Sequence, residues 1–396
     1  MLFANQSDFD AMHLVVFSHK LCWPSEHSDC GFATDGGFPM QMRALSELFD
    51  KTTLVVPVTQ TGNVRGELPL TGRNMSVVPL SNPAGQDWQR KLRMLPWLLT
   101  NGLTICRQTL RADAVHAPIP GDVGTFGMLG AYLLGKPLFV RYCGNWLVTH
   151  TAAERLWKRF MEHVAGGRNV MLATGGDSAL PSAINPAVQW IFSTSLTNQE
   201  IELVGQARKL DERKAPRLII VARQEHGKGT DIVIQSLPKL LAEFPSLQLD
   251  VVGDGSALAG LKRLASELLV AERVKFHGKV NHDEVLRLLQ QADLFCYPTD
   301  SEGFPKAVLE ALATGLPVIT TKVSILPNLI GQGGGVLLDA ATPANLADAV
   351  YRCLSDEPLY RQMSASAITT AREYTLENWR DTIGRHLRSA WGNLNG

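Results

Sequence analysis

Short apolar runs alternate with amphipathic segments through the second half of the sequence, and this alternation limits the fold more than any other feature. The apolar runs predict buried strands, and the spacing between them predicts helices. The predicted strands are Arg217–Ala222, Leu247–Val252, Val274–Phe276, Leu294–Tyr297 and Pro317–Thr321, and the predicted helices are Asp231–Phe244, Ser256–Val270, Asn281–Gln291 and Pro305–Thr314. Such alternation forms a parallel sheet with helices on both faces, and ligands bind beyond the carboxyl ends of its strands.

The first half repeats this pattern less regularly. Its predicted strands are His13–Phe17, Thr53–Pro57, Ala114–His116, Pro137–Tyr142 and Gln189–Ser193, and its first predicted helix is Pro39–Phe49. A polar stretch, Asn198–Pro216, marks the predicted hinge. We therefore expect an α/β protein with two Rossmann-like, doubly wound domains facing a central cleft, residues 1–205 and 206–373, and a terminal helix over 374–396.

Composition excludes several classes of protein. The 396 residues include 38 Lys and Arg and 38 Asp and Glu, so no net charge draws the chain to nucleic acid. The six cysteines form no Cys-x-x-Cys pair and no cluster with metal-ligand spacing, which indicates reduced thiols and no metal site. The N-terminus lacks the pattern of a signal peptide, and no apolar stretch approaches the roughly 18 residues of a membrane span. We expect a cytoplasmic protein.

The segment 88–111 qualifies that expectation. It contains five basic residues and no acidic one, set among leucines and tryptophans. A basic amphipathic helix of this kind can lie at the inner face of a membrane as a peripheral contact. The alternative is a solvated surface helix, broken near Pro96, that leads into the strand at Ala114.

The densest chemical signal runs from Ser301 to Pro317. Pro305 suits the first position of a helix and Gly315 suits its end. The amide groups of the first helical turn then favour an anion beyond the sheet. Lys306 opposes the helix dipole at this end, and a bound phosphate would remove the conflict.

Two carboxylates accompany this helix. Glu310 lies among apolar residues, where a carboxylate is costly unless it is hydrogen-bonded, as it would be to the vicinal hydroxyls of a ribose. Glu302 lies on the preceding turn and would face the same cleft. The alternative is that Glu302 caps the helix and Glu310 lies on its solvated side.

A basic pair follows the first predicted strand of this half. Arg223 can bind two phosphate oxygens through its planar guanidinium, and Lys228 supplies a compact charge between two glycines. Two cations here suit a departing diphosphate, and the alternative is a solvated charged loop.

Together these residues resemble the retaining glycosyltransferases of family 4, the glycosyl transferases group 1, which have the GT-B fold. The resemblance is strong from about Leu218 to Leu338 and architectural elsewhere. Its motifs are Arg223 with Lys228-Gly229, Val252-Gly253-Asp254-Gly255, Val274–Gly278, Ala292–Leu294, and the segment from Glu302 through Glu310 to Val318.

The resemblance implies a role for each matching residue. Arg223 and Lys228 would stabilise the diphosphate of a nucleotide-sugar as it leaves, Glu302 would contact the donor sugar, and Glu310 would bind the ribose. The terminal helix would cross back onto the first domain. The other implied donor-binding residues are Gly36 and Gly37 near the phosphates, Gly278 and Lys279 at the base, and Gly303, Phe304, Pro305, Lys306, Ala307 and Val308 at the helix start.

The N-terminal half departs from the family pattern. His116 ends a strand where the family often has His-x-His, but Pro118 replaces the second histidine. A catalytic His116 and a structural His116 are both open. The residues assigned to the acceptor side are His19, Lys20, Trp23 and Asn145.

The resemblance implies a retaining, metal-independent hexosyltransferase. It would move a sugar from a nucleoside diphosphate sugar to a hydroxyl of a saccharide, glycolipid or small molecule, as in polysaccharide biosynthesis. Fixed cations and helix amides would stabilise the charge on the departing diphosphate, and no cofactor is expected. The alternatives are a nucleotide-sugar epimerase or phosphorylase of the same fold, and a non-catalytic protein that binds a sugar nucleotide.

Overall fold

The computed structural model describes residues 9–60, 67–83, 87–149, 151–177, 179–210 and 215–392, and the chain forms two compact units. The N-terminal domain contains the residues up to Ser195 and those from Leu376 onward, and the C-terminal domain is Leu196–Thr375. The boundary therefore follows Ser195, whereas the sequence predicted it after residue 205. The reason is that Leu196 and Ile201 are buried in the core of the C-terminal domain.

A parallel sheet forms the centre of the N-terminal domain. The strands of this domain are β1 (Phe9–Phe17), β2 (Trp23–Pro24), β3 (Phe32–Thr34), β4 (Phe49–Val58), β5 (Leu68–Pro69), β6 (Met75–Ser81), β7 (Ala114–Ile119), β8 (Leu138–Tyr142), β9 (Asn169–Thr174) and β10 (Val188–Ile191). Seven of them form the sheet in the order β10-β9-β8-β7-β1-β4-β6, and β2, β3 and β5 form a small antiparallel sheet.

Two strands of the parallel sheet were not predicted, and their sequences explain why. Strand β6 lies at an edge of the sheet, where Pro79 is tolerated and most side chains are partly exposed. Strand β9 is buried, but Asn169 and Ala173 have a low preference for strands.

Helices cover both faces of this sheet. They are α1 (Phe38–Ser46), α2 (Asp87–Arg111), α3 (Asp122–Leu133) and α4 (Ala152–Val164). Side chains of α1 pack into the core on one face, and those of α2, α3 and α4 pack into the core on the other. Helix α1 ends before its predicted bound because Phe49 begins β4. Among the described helices, none combines the length and the hydropathy that crossing a bilayer requires.

The C-terminal domain follows the predicted alternation closely. Its elements are α5 (Asn198–Val204), β11 (Arg217–Val221), α6 (Thr230–Glu243), β12 (Gln248–Val252), α7 (Leu258–Glu267), β13 (Val274–Gly278), α8 (His282–Gln291), β14 (Leu294–Tyr297), α9 (Lys306–Ala313), β15 (Val318–Thr321), α10 (Leu326–Ile330), β16 (Gly335–Leu338), α11 (Pro343–Ser355) and α12 (Glu357–Glu373). The six strands form a parallel sheet in the order β13-β12-β11-β14-β15-β16.

The last helix, α13 (Leu376–Trp391), belongs to the N-terminal domain. Trp379, Ile383, Leu387 and Trp391 are buried in the same core as the side chains of α1. The indole N–H of Trp391 also donates a hydrogen bond to the carbonyl oxygen of Arg168, at 2.9 Å. These contacts fix the C-terminal segment on the first sheet.

Candidate functional site

The carboxyl ends of β11, β12, β13 and β14 lie at one edge of the C-terminal sheet, because the strands are parallel. Arg223 and Lys228 follow β11, Gly278 ends β13, and Glu302 follows β14. Residues that are far apart in sequence therefore share one edge.

Lys228 and Glu302 are in direct contact at this edge. The Nζ atom of Lys228 lies 2.5 Å from Oε1 of Glu302 and 3.1 Å from the carbonyl oxygen of Ser301. Both side chains are mostly buried, with 19% and 13% of their surface exposed. An ammonium group has three N–H donors, so Lys228 retains one for a further acceptor.

Tyr297, which the sequence analysis did not select, completes this contact. Its hydroxyl donates a hydrogen bond to the same Oε1 atom of Glu302. Burial, and then the neighbouring Glu302, raise the pKa of Tyr297, so the hydroxyl remains a donor. Its position at the end of β14, just before the Glu302 loop, was the signal that could have identified it.

Gln224 holds the loops after β11 and β12 together. Its side chain is fully buried and donates to the carbonyl oxygens of Ala222 and Val252 at 3.0 and 2.9 Å, and it accepts from the hydroxyl of Thr230 at 2.8 Å. A Cβ atom on Gly253 would lie 1.8 Å from the carbonyl oxygen of Ala222. The glycine turn after β12 therefore permits the two loops to pack closely. Arg223, the residue before Gln224, is exposed.

Helix α9 begins one residue later than predicted. Pro305 is its N-cap, with φ −85° and ψ 86°, and no side chain caps the helix. The amide of Val308 already donates to the carbonyl oxygen of Pro305 at 3.1 Å. The amide of Ala307, in the first turn, is therefore better placed than that of Val308 to donate to a phosphate.

The loop before α9 is held by its own contacts. The carbonyl oxygen of Gly303 accepts from the hydroxyl of Ser324 at 3.2 Å, and the rings of Phe304 and Tyr374 lie 6.2 Å apart. These contacts fix the backbone that leads into the helix start.

Glu310 lies one turn further along α9 and is mostly buried, with 16% of its side chain exposed. Its Oε1 atom is 3.6 Å from Nδ1 of His282, at the start of α8. Burial raises the pKa of Glu310, and the nearby His282 and Lys306 oppose that effect. His282 is therefore an ion-pair partner of this carboxylate when the imidazole is protonated.

The predicted base-binding backbone lies at the end of β13. Gly278 has a φ of 66°, a conformation that favours glycine, and its carbonyl oxygen accepts from the amide of Gly253 at 2.8 Å. Lys279 follows on an exposed turn.

The structure places His116 in the interior of the N-terminal domain. The residue is fully buried, its ring stacks on Phe139 with centroids 4.1 Å apart, and its Nδ1 atom is 3.0 Å from the carbonyl oxygen of Phe139. Burial, and then the charge of Arg141, lower the pKa of His116 to about 3. The ring is therefore neutral at neutral pH, and the geometry favours the structural alternative over the catalytic one.

The residues assigned to the acceptor side have contacts of their own. Trp23 is buried in the small antiparallel sheet, and its indole N–H donates to Glu67 at 3.1 Å. Lys20 forms an ion pair with Asp35, and Oδ1 of Asn145 accepts two backbone amides of the turn that follows, at 3.0 and 3.2 Å. These contacts hold local loop structure.

The other predicted residues of this domain lie on exposed loops. His19 is exposed and packs on Gly121, where a Cβ atom would lie 2.1 Å from Nδ1 of His19. Gly36 has a φ of 70°, and Gly37 is the N-cap of α1. The loop that includes both glycines therefore leads into a helix start, as the sequence predicted.

A family model described as Glycosyl transferases group 1 matches residues 206–370, which include this site. The D-inositol 3-phosphate glycosyltransferase of Corynebacterium urealyticum is 31% identical over 177 residues, covering 43% of this chain and 42% of its own length. The N-acetyl-alpha-D-glucosaminyl L-malate synthase of Bacillus anthracis is 33% identical over 164 residues, covering 41% of each chain. The chain thus matches less than half the length of these relatives.

Two solved structures resemble nearly the whole chain. A glycosyltransferase from Rickettsia africae has a TM-score of 0.68 at 12% identity, covering 96% of this chain and 99% of its own. HepE from Anabaena, solved with UDP and glucose, has a TM-score of 0.64 at 16% identity, covering 96% and 99%. At this identity the likeness establishes a shared fold.

Proposed function

We propose that this chain, a GT-B protein whose residues 206–370 carry the group 1 glycosyltransferase domain, transfers a sugar from a nucleoside diphosphate sugar to an acceptor hydroxyl with retention of the anomeric configuration. The observation that carries the proposal is the convergence of Lys228, Glu302 and the start of α9 at one sheet edge. Cations and helix amides suit phosphoryl oxygens, and carboxylates suit sugar hydroxyls.

Lys228 and Arg223 are the proposed partners of the departing diphosphate. Lys228 is held by Glu302 and the Ser301 carbonyl, so its position is fixed before the ligand arrives. A preorganised cation stabilises the negative charge that develops as the glycosidic bond breaks, without reorganisation during the step. Arg223 adds a second, exposed cation, and the amide of Ala307 adds a dipole.

Glu302 is the proposed contact of the donor sugar. Tyr297 and Lys228 both donate to its Oε1 atom, and its second oxygen accepts a sugar hydroxyl in our proposal. A carboxylate fixed by two donors selects the orientation of the sugar, which places the anomeric carbon over the diphosphate cations.

Glu310 is the proposed contact of the ribose. Two vicinal hydroxyls can donate to the two oxygens of one carboxylate, and burial of Glu310 strengthens such bonds. The backbone at Gly278 and Lys279 is proposed to contact the base.

We propose retention because of the family resemblance, and independence of metal because Lys228 and Arg223 can supply the positive charge. The anomeric configuration of the product, read from NMR couplings of the newly formed glycoside, tests retention. Undiminished transfer after treatment with EDTA is expected, and a transfer rate that returns only on addition of Mg²⁺ or Mn²⁺ would contradict it.

In the decisive experiment, a screen first identifies the nucleotide-sugars that raise the melting temperature of the full chain. The chain is then incubated with each of them. UDP-sugars come first, because HepE holds UDP. Mass spectrometry of reactions with saccharide, glycolipid and small-molecule acceptors should show acceptor-dependent glycoside. Sugar interconversion with the donor alone would indicate an epimerase, and turnover only with inorganic phosphate would indicate a phosphorylase. Binding without turnover in any mixture would indicate a non-catalytic protein.

We propose that the protein acts in the cytoplasm and that α2 contacts an anionic membrane surface. The side chains of Leu95, Leu99, Leu103 and Leu110 share one face of α2 and are between 55% and 84% exposed. The exposed basic residues of the same helix are Arg93, Arg107 and Arg111. The predicted amphipathic segment also includes Trp88, Arg90 and Lys91. For these three residues the structure describes the helix but not the side chains.

We infer an anionic lipid surface as the partner of α2, because arginines beside an apolar stripe favour anionic lipid. Vesicles that contain phosphatidylserine should sediment with the protein more than vesicles of phosphatidylcholine alone. The double variant Leu99→Glu, Leu103→Glu should remove the difference. Equal sedimentation of wild type and variant would contradict this contact.

A further inference from the structure

His282 lies between two carboxylates from different helices. Its Nε2 atom is 3.5 Å from Oε1 of Glu200 on α5, and its Nδ1 atom is 3.6 Å from Oε1 of Glu310 on α9. The imidazole is 45% exposed, whereas the two carboxylates are 23% and 16% exposed. Neither His282 nor Glu200 belongs to the motifs that the sequence analysis selected.

Glu200 is held in a fixed orientation by the start of its own helix. Its Oε2 atom accepts from the amide of Thr197 at 2.8 Å and from the hydroxyl of Thr197 at 2.9 Å, as part of a capping box. The other oxygen, Oε1, is the one that faces His282. Because the capping box fixes this carboxylate, Glu200 in turn orients the imidazole ring.

The two contacts of His282 favour one protonation state. Only the imidazolium can donate from both ring nitrogens, because neutral imidazole has a single N–H. The hydrogen bond to Glu200 is the largest cause that raises the pKa of His282, and burial opposes it. Asp283 on the same helix also favours the imidazolium, and Lys306 is a second cation near Glu310.

We propose that His282, oriented by Glu200, is a positioning residue that keeps the carboxylate of Glu310 ionised and aimed at the ribose of the donor. This inference rests on the proposed function, in which Glu310 binds the ribose. The mostly buried Glu310 needs a neighbouring cation to remain an acceptor for two hydroxyls, because a protonated carboxyl presents one donor in place of an acceptor.

The proposal determines the sign of the pH dependence. Selectivity for ribose should rise with pH as Glu310 ionises above its raised pKa. It should fall again as the pH passes upward through the pKa of His282, which is raised above 6.5, because neutral imidazole has only one donor for two carboxylates. Ribose selectivity is therefore greatest between these two pKa values.

The test measures ribose selectivity directly in the full chain. Calorimetry gives the dissociation constants of UDP, ADP, GDP and CDP and of their 2′-deoxy and 3′-deoxy forms, from about pH 5 to about pH 9. The ratio of the deoxy to the ribo constant is the readout. Titration of the phosphates affects both ligands equally, so the ratio isolates the hydroxyl contact.

The wild type should prefer the ribo form by roughly tenfold at the maximum of a bell-shaped profile of this ratio against pH.

The variants should change this profile in different ways. His282→Gln should lower that maximum and remove its alkaline limb. Glu200→Gln, which keeps an oxygen for the helix cap, should shift the alkaline limb to lower pH. His282→Lys should retain the preference and shift that limb to higher pH. His163→Gln, an exposed histidine on α4, is the matched control and should leave the profile unchanged.

Three outcomes would overturn the inference, and they are distinguishable. If a nucleoside diphosphate binds but His282→Gln and Glu200→Gln retain the wild-type profile, His282 has no positioning role and the proposed function stands. If none of the four diphosphates binds the wild type, the proposed function fails and this inference fails with it. A preference that survives in His282→Gln but not in His282→Lys would show that shape, not charge, positions Glu310, and would also overturn it.

Discussion

The two domains share one architecture but differ in how their predicted polar residues are used. In the C-terminal domain, Lys228 and Glu302 meet at the carboxyl edge of the sheet, and Glu310 lies on the helix that begins there. In the N-terminal domain, His116 and Trp23 are buried and bonded within their own domain. Similar parallel sheets therefore carry a preorganised polar cluster in one domain and mainly a packed interior in the other.

This difference between the domains is consistent with the ligands proposed for each of them. A diphosphate and a ribose demand the same cations, amides and carboxylates whatever the acceptor is. The residues proposed to bind them therefore form a recognisable pattern in the sequence. Acceptors differ in chemistry, so the domain that would bind them has no fixed set of side chains. Four predictions test this contrast between the domains.

Removal of the cation of the C-terminal edge should have the largest effect. Lys228→Ala should lower kcat for sugar transfer by roughly 100- to 1,000-fold, because the charge that develops on the diphosphate loses its fixed partner. Steady-state kinetics against Lys239→Ala, an exposed lysine paired with Asp348, checks this prediction. A rate within about threefold of the wild type would show that Lys228 does not stabilise the departing diphosphate.

Replacement of a glycine by alanine should reduce the stability of the protein more at Gly253 in the C-terminal domain than at Gly36 in the N-terminal domain. Gly253→Ala should destabilise the protein by about 3 kcal/mol or more, because its Cβ atom would lie 1.8 Å from the Ala222 carbonyl oxygen at a φ of 115°. Gly36→Ala, with a φ of 70° and no atom within 4 Å of its Cβ, should cost about 1 kcal/mol. Urea unfolding compares them, and equal losses would refute the packing argument.

Loss of the proposed ribose contact should change donor binding more than the rate of the chemical step. Glu310→Ala should raise the KM for the donor by roughly tenfold and lower kcat much less, because the contact is made equally before and during the reaction. Glu267→Ala on α7, paired with Arg263, serves as the control. An unchanged KM would remove Glu310 from the site.

Replacement of the buried histidine should have the smallest effect on transfer. His116→Asn can still donate to the Phe139 carbonyl oxygen, so the rate should remain within about threefold. Because the pKa of His116 lies near 3 instead of 6.5, the unfolded chain binds more protons, and wild-type stability should fall as the pH drops below 6.5. The variant should lose this part of the pH dependence. A loss of transfer beyond roughly 100-fold in a folded variant would restore His116 to the active site.

The fold was largely predictable, since the GT-B class and the strands from β11 to β15 followed from apolar runs and family motifs. The contacts inside the site were less so. Gln224 and His282 act through partners that are distant in sequence, Val252 for Gln224 and Glu200 for His282. No local pattern marks such residues, because only the folded sheet brings their partners near.

The proposed function depends most on the binding of a diphosphate by Lys228 and the start of α9. Calorimetric titration of the full chain with a nucleoside, its monophosphate and its diphosphate measures this contact most directly. We predict that the diphosphate binds at least about tenfold more tightly than the nucleoside, and that Lys228→Ala reduces this gain. Equal affinity for nucleoside and diphosphate, or an undiminished gain in Lys228→Ala, would contradict the proposed function.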